Sequence, residues 1–194
     1  MSQSNLKSIA SRILREEGQE LIDAADRNSE SIVNACDLIV KHPGKVVILG
    51  MGKSGLIAQK IAATLYSVGN KAVFLHAAEA SHGDLGIYAP GDPTIVISKS
   101  GATDELVRLI PILKEFKSPL IGIIGNMKSS LIDSMDIVID ASVSKEVDPL
   151  GLVPTSSTTL TLAIGDALAT VIMSHQGFKH EDFAKLQKNR NNFH

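Results

Sequence analysis

Hydrophobic residues recur at helical spacing through the first part of the chain. Two stretches, 4–27 and 29–41, place them three or four residues apart, which is typical of amphipathic helices. The second stretch is closed by His-Pro-Gly at 42–44, a sequence that ends helices. The pattern therefore predicts two opening helices. Their apolar positions are Leu6, Ile9, Ile13, Leu14, Leu21 and Ile22, followed by Ile32, Val33, Leu38 and Ile39.

Farther along, the pattern changes to short continuous apolar runs. These are VVILG at 46–50, AVFLH at 72–76, TIVIS at 94–98, LIGIIG at 120–125 and DIVID at 136–140, with helical segments near 54–68, 103–116 and 128–134 between them. Continuous β-branched runs are typical of buried parallel strands, and their alternation with helices predicts right-handed crossovers. A long helix is expected at about 155–176 and a shorter one at 180–188.

These elements predict an α/β protein with helices on both faces of a sheet. We expect a three-layer αβα sandwich around a five-stranded parallel sheet of the flavodoxin-like type. Two N-terminal helices and a long C-terminal helix complete it. Because no repeat or low-complexity linker divides the sequence, residues 1–194 are expected to form a single domain.

Composition narrows the classes of partner. The chain is 44% hydrophobic with a net charge of −2 and no basic cluster, which argues against nucleic acid. Its apolar runs are strand-length and interrupted, so no membrane-spanning helix is expected. The N-terminal stretch lacks the apolar core of a secretory signal, and we expect a cytoplasmic protein. The single cysteine, Cys36, lies on an apolar helical stripe and is expected in the core.

Ligands of such sheets bind beyond the carboxyl ends of the strands. The first loop there, GMGKSG, fits the dinucleotide-binding pattern with Gly50, Gly52 and Gly55, but the second strand ends in His76 where that pattern needs an acid. A nucleoside-triphosphate loop also fails, because Val47 stands where its first glycine is required. The glycines still let backbone N–H groups approach an anion at the positive end of a helix.

Two hydroxyl-rich loops accompany this turn. SKSGAT, after the third strand, contains Ser98, Ser100 and Thr103 just before a helix. A single hydroxyl is enough to cap a helix, so a cluster at the ligand-binding edge favours a phosphate over simple capping. PTSSTT at 154–159 opens the long last helix and would form another wall of the same cleft. The ligand predicted from these loops is a small phosphorylated molecule.

Several stretches together resemble a known family. GMGKSG, HAAEASHGDLG, ISKSGATDE, KEVDPLGLVPTSSTT and GDALA, in this order and spacing, are similar to the sugar isomerase (SIS) domain family and, within it, to the arabinose-5-phosphate isomerases. The resemblance covers roughly residues 40–184. It implies interconversion of D-ribulose 5-phosphate and D-arabinose 5-phosphate, the first step toward the lipopolysaccharide sugar Kdo, by a cytoplasmic homotetramer. Many members continue into a pair of cystathionine-synthase-type domains; this chain stops at His194, and we expect a form without them.

The resemblance also assigns substrate contacts. It implies that Ser98, Ser100 and Thr103 hold the phosphate, while Lys53 and Ser54 lie beside the sugar. The other substrate-binding residues that we predict are Gly52, Gly69, Asn70, His76, Thr155, Ser156 and Ser157.

Moving a carbonyl between C1 and C2 needs a base for the carbon-bound proton and a positive or acidic group for the enediolate oxygen. It needs no redox cofactor. The resemblance implies that Lys53, His82, Glu105 and Glu146 are catalytic. Lys53 would neutralise the oxyanion or the phosphate, and His82 would contact substrate. The sequence leaves open which group is the base. Glu105 could instead interact with a helix dipole, and Glu146 could be an exposed charged residue in a loop.

A metal and two departures from the family pattern also bear on the site. His76 matches a metal-binding histidine of similar proteins, so zinc could bind there as an incidental or inhibitory ion, while the reaction itself can run without a metal. Ala102 stands where the family often has glutamate. Gln187 stands where relatives have a functional histidine, and glutamine cannot transfer a proton. That role is then dispensable, or is taken by another histidine: His175, His180 or His194.

Two alternatives remain beside the arabinose-5-phosphate isomerase. The first is an isomerase of another sugar phosphate, such as a hexulose or heptulose phosphate. The second is a non-catalytic domain that senses a sugar phosphate. A nicotinamide enzyme ranks last, because the acid for the ribose is missing.

Overall fold

The structure, a computed structural model, describes residues 2–80 and 82–186. The helices are α1 Gln3–Val40, α2 Gly52–Ser67, α3 Ala77–Ala80, α4 Asp104–Glu115, α5 Ser156–His175 and α6 His180–Leu186. The strands are β1 Val46–Gly50, β2 Ala72–His76, β3 Thr94–Ser98, β4 Leu120–Ile124 and β5 Ile137–Asp140. Two 3-10 turns cover Asp84–Ile87 and Ile132–Ser134.

The five strands form one parallel sheet in the order β2-β1-β3-β4-β5. This is the flavodoxin-like order, so the predicted fold class is confirmed. β1 pairs with β2 from Val46 opposite Ala72, and with β3 from Val47 opposite Thr94. All five predicted strands are present within one residue of their expected ends.

Alternate strand residues pack against helices on opposite faces of the sheet. Ile48 and Ile95 belong to the core formed with α1, α2 and α5. Val47 and Val96 belong to the core formed with α3 and α4. Because both faces are covered, the central strands are apolar throughout and not alternating. Cys36 is buried in the first of these cores, as predicted.

The two predicted opening helices are in fact one continuous helix, α1. Asn28 lies at the expected break and is buried. Its amide nitrogen donates to the carbonyl oxygens of Ala24 (3.1 Å) and Asp140 (2.9 Å), and its amide oxygen accepts from the Asp140 N–H at 2.9 Å. Asn28, at the position between the two predicted helices, therefore forms a tertiary contact with β5.

Other differences concern short elements. The helix predicted at 128–134 is only the turn Ile132–Ser134. Just before it, the Asn126 side chain accepts from the Lys128 N–H at 3.1 Å, a local bond that competes with helix formation. The single turn α3 was not predicted, because one turn is too short to show a period. The predicted helix 180–188 is present as α6, while Gln187 and His194 lie outside the described residues.

Helix α5 is long and apolar enough to cross a membrane, judged by length and composition alone. The apolar runs of the sequence predicted no helix of this kind. Within the described part of the chain α5 is the one helix that meets these criteria, and 44% of its most apolar window is buried. A helix in a protein core can have the same length and composition, and α5 packs between α1 and α2. Its first turn contributes Ser157 and Thr158 to the lining of a cavity.

Candidate active site

Three loops meet at the carboxyl edge of the sheet and enclose a cleft. The cleft consists of two adjoining cavities that share Met51, Ser54 and Lys99. The first, which we call the α2–α5 cavity, is completed by Lys53, Ile57, Pro154, Ser157, Thr158 and Thr161. The second, the α4 cavity, is completed by Ile97, Ser98, Ser100, Thr103 and Leu106. The glycine turn and both hydroxyl-rich loops thus form walls of one cleft.

The glycine turn GMGKSG brings α2 close to the end of β1. A Cβ atom on Gly50 would lie 2.8 Å from the Ser54 carbonyl oxygen, so no side chain fits there. Gly52 has a φ of +54°, a left-handed conformation that glycine adopts without strain. No side chain caps the start of α2. Its first turn can therefore offer backbone N–H groups to an anion.

The SKSGAT loop is organised around its hydroxyl groups. Ser98 Oγ accepts from the Gly101 N–H at 3.0 Å, and Ser100 Oγ accepts from the Ala102 N–H at 3.2 Å. Gly101 turns the chain with a φ of +63°. Thr103 is the N-cap residue of α4, yet its hydroxyl makes no capping bond. The hydroxyls and the N-terminus of α4 together form a site suited to a phosphate.

Glu146 is not the exposed loop charge that the sequence suggested. Its side chain is 3% exposed and accepts five hydrogen bonds. These come from Lys99 Nζ (2.5 Å), the Thr155 N–H (2.8 Å), the Thr155 hydroxyl (3.0 Å), the Ser157 N–H (3.2 Å) and the Ser157 hydroxyl. Glu146 thus occupies the anion position at the N-terminus of α5.

These contacts set the protonation state of Glu146. Burial raises the pKa of its carboxyl, but the hydrogen bonds from Lys99, Ser157 and the backbone of Thr155 outweigh burial and lower the pKa to about 2. Glu146 is therefore a carboxylate across the physiological range. A group with so low a pKa is a weak proton acceptor near neutral pH.

The low pKa of Glu146 predicts a specific dependence of stability on pH. A carboxyl whose pKa is lowered by folding stabilises the folded state above its unfolded pKa, and this contribution is lost as the pH falls through the folded pKa. For Glu146 this window runs from 4.5 down to about 2. We expect the difference in unfolding free energy between wild type and Glu146→Gln to shrink by about 3 kcal/mol across the window, as measured by urea denaturation. A difference that stays constant with pH would contradict the assignment.

Lys99 lies within SKSGAT, and the sequence predicted no role for it. In the structure its side chain is 50% exposed and lines both cavities. Its ammonium lies 2.5 Å from Glu146 Oε1. A lysine placed among hydroxyls that are predicted to bind a phosphate was the available signal.

Some hydroxyls of PTSSTT form hydrogen bonds within the protein, and others line the cleft. Thr155 and Ser157 bond to Glu146, and Thr155 Oγ1 also accepts from the Val147 N–H at 3.1 Å. Ser156 Oγ is buried without a hydrogen-bond partner in the described residues. Ser157 reaches the cleft together with its neighbour Thr158. Of the three predicted contacts in this loop, Ser157 alone lines a cavity of the cleft in the described chain.

Glu105 lies in the first turn of α4, between Thr103 and Leu106, both of which line the α4 cavity. Its side chain forms no hydrogen bond or ion pair within residues 2–80 and 82–186. His82 is exposed in the loop before the 3-10 turn Asp84–Ile87. Glu105 thus stands beside the cleft, whereas His82 is not among the residues that line it in the described chain.

Gly69 and Asn70 are not brought to the cleft. They precede β2 and so lie at the opposite edge of the parallel sheet from the cleft. There Asn70 accepts from the Gln176 side chain at 3.2 Å, and Gly69 packs under Phe178. Both residues contact the segment after α5.

His76 ends β2, and its Nδ1 accepts from the Ala78 N–H at 3.3 Å. Its ring meets Phe74 edge to face, with centroids 6.3 Å apart. Among residues 2–80 and 82–186, no group of three or more His, Cys, Asp or Glu side chains is arranged to hold a metal ion. Zinc binding through His76 stays a prediction.

Comparison with known proteins gives similar relatives. Arabinose 5-phosphate isomerase KdsD of Pseudomonas aeruginosa is 47% identical over 166 residues, which cover 84% of this chain and 51% of that protein. The protein of the same name from Escherichia coli K12 is 48% identical over 156 residues, covering 80% of this chain and 48% of its own. The chain thus spans about half the length of the curated relatives it matches.

A solved structure matches the described fold along nearly its whole length. This is c3406 of Escherichia coli CFT073 in complex with arabinose 5-phosphate, with a TM-score of 0.90 and 36% identity, covering 95% of this chain and 98% of that one. Residues 38–171 match the SIS domain. The chain therefore belongs to the SIS domain family.

Proposed function

We propose that this protein is an aldose-ketose isomerase that interconverts D-ribulose 5-phosphate and D-arabinose 5-phosphate, the first step of Kdo biosynthesis. The observation that carries the proposal is the junction of a hydroxyl-lined cavity with a cavity that contains lysine side chains. One end suits a phosphate, and the other suits an oxygen that becomes negative. The relatives named arabinose 5-phosphate isomerase and the sugar-phosphate complex of c3406 support this choice of sugar.

In the proposed mechanism, Ser98, Ser100 and Thr103 hold the phosphate with the N-terminus of α4. The open-chain sugar then extends toward Ser54, so that its C1–C2 end lies at the junction of the two cavities. A base removes the proton from C2 of the aldose, and the resulting enediolate is reprotonated at C1 while a proton moves from O2 to O1. Lys53 lies where it can stabilise the enediolate oxygen.

Glu105 is the proposed base. Its carboxylate is free of hydrogen bonds within the described chain, whereas Glu146 accepts five. Two carboxylates in such different environments are suited to different roles. His82 and Gly52 are retained as proposed substrate contacts.

The experiment uses the purified wild-type protein with arabinose 5-phosphate in deuterated water. We expect ribulose 5-phosphate to form without added cofactor, and deuterium to enter at the exchanged carbon, as followed by NMR. Turnover should persist in a chelator, since no step requires a metal. Absence of both product and exchange at high enzyme concentration would contradict the proposal.

Outcomes on other sugars distinguish the alternatives. Faster turnover of a hexulose or heptulose phosphate would identify an isomerase of a longer sugar. A sensor domain would instead show a higher melting temperature with sugar phosphate and no exchange at any carbon.

We also propose a cytoplasmic homotetramer. Large apolar side chains lie exposed on α1 and in the loop before α5, among them Leu14 (72%), Ile22 (68%), Leu150 (76%) and Leu152 (72%). A large exposed apolar patch is typical of a surface that another subunit covers. A monomer mass in light scattering would contradict the assembly.

A further inference from the structure

The pair formed by Lys99 and Glu146 has an exposed end and a buried end. The Lys99 side chain is 50% exposed, and that of Glu146 is 3% exposed. Lys99 lines both cavities of the cleft, and Glu146 lines neither. A ligand in the cleft therefore meets the ammonium group and not the carboxylate.

The carboxylate of Glu146 has no free position for a further hydrogen-bond donor. An ionised carboxylate offers about four acceptor positions on its two oxygens. Oε1 accepts from Lys99 and Ser157, and Oε2 accepts from the Thr155 N–H, the Thr155 hydroxyl and the Ser157 N–H. With five donors around it, the group is saturated.

Lys99, by contrast, keeps donors to spare. An ammonium group carries three N–H donors, and one of them is directed at Glu146. The bond to Glu146 ties the ammonium group to the start of α5, where Thr155 and Ser157 hold the carboxylate. The other donors are thus placed at the junction of the two cavities, between the SKSGAT loop and Ser157.

Building on the proposed function, we propose that Lys99 is a catalytic residue that stabilises the enediolate oxygen, and that Glu146 is a positioning residue that acts through Lys99 rather than as the base. Glu146 fixes the ammonium from behind while its own charge is screened from the cleft by the donors around it. A preorganised positive group of this kind is effective because it needs no reorientation when the oxyanion forms.

A double-mutant cycle on Lys99 and Glu146 tests this. Lys99→Met is expected to lower kcat by roughly 10²- to 10³-fold with a smaller change in KM, and Lys99→Arg to restore part of the loss. Glu146→Gln is expected to lower kcat as well. The double variant should be no slower than Lys99→Met alone, because Glu146 has nothing left to position.

The matched control is Lys60→Met. Lys60 also pairs with a carboxylate, that of Asp166, and links α2 to α5, but both side chains are exposed outside the cleft. Its kcat should equal that of wild type. Circular dichroism on every variant checks that a loss of kcat is not a loss of fold.

The proposal would be overturned if kcat of the double variant were at least tenfold lower than that of Lys99→Met. Glu146 would then have a role independent of Lys99. An unchanged kcat in Lys99→Met would overturn the proposal equally. If wild type catalysed no isomerisation, the proposed function would fail. The role of the pair would then be tested by measuring the Kd of arabinitol 5-phosphate for wild type, both single variants and the double variant. Equal Kd values for wild type and Lys99→Met would then reject it.

Discussion

Replacing Glu105 with glutamine is expected to lower kcat by roughly 10²- to 10⁴-fold, the contribution typical of general acid-base catalysis. Glutamine keeps the shape of the side chain but cannot accept the proton from carbon. Because Glu105 forms no hydrogen bond within the described chain, the change leaves no donor unpaired there. KM should change little, and deuterium exchange at C2 should fall in parallel with turnover. Both are measurable by NMR in one experiment.

Asp104 offers the control for Glu105. It lies beside Glu105 in the first turn of α4, is exposed, and meets the same helix dipole. If the dipole alone mattered, Asp104→Asn and Glu105→Gln would have similar small effects on stability and none on kcat. We expect Asp104→Asn to retain wild-type kcat. Equal kcat for both variants would remove Glu105 as the base.

The strands and their order could be predicted because both faces of the sheet are covered. Runs such as TIVIS are continuous and apolar for that reason, and the alternation with helices leaves few topologies. The break expected at Asn28 was wrong because its partner, Asp140, is far away along the chain. A buried polar residue and an exposed one look alike until such a partner is known.

The site could be predicted in part for a similar reason. Loops that follow strands share one edge, so the topology alone brings Ser54, Ser98 and Ser157 to one cleft. Glu146 looked like exposed charge because its hydrogen-bond donor Lys99 is supplied by a different loop. Gly69 was predicted by resemblance alone, and the direction of β2 places it at the other edge. The topology fixes which loops meet, but individual side-chain contacts determine which residues reach the site.

The second large effect is expected from the SKSGAT loop, the predicted phosphate site. In the variant Ser100→Ala/Thr103→Val, two hydroxyls that line the α4 cavity are removed. A hydrogen bond to a charged group contributes about 1.5–3 kcal/mol, so kcat/KM should fall by roughly 10²- to 10⁴-fold, mainly through KM. Ser98 is left in place, because the bond that its hydroxyl accepts from the Gly101 N–H is buried, whereas the Ser100 bond to the Ala102 N–H is exposed.

Stability should change little in this variant. The Thr103 hydroxyl makes no capping bond to α4 and only a 3.4 Å contact with Ser98 Oγ, and the bond that Ser100 Oγ accepts from the Ala102 N–H is exposed. The matched control is Ser174→Ala/Thr170→Val, which removes two exposed hydroxyls on α5 that bond only to backbone carbonyls of their own helix. We expect the control to keep wild-type kcat/KM and inhibition by inorganic phosphate, while the loop variant loses both. Phosphate inhibition that survives in the loop variant would place the anion elsewhere, at the uncapped start of α2, where Lys53 and Ser54 are the available donors.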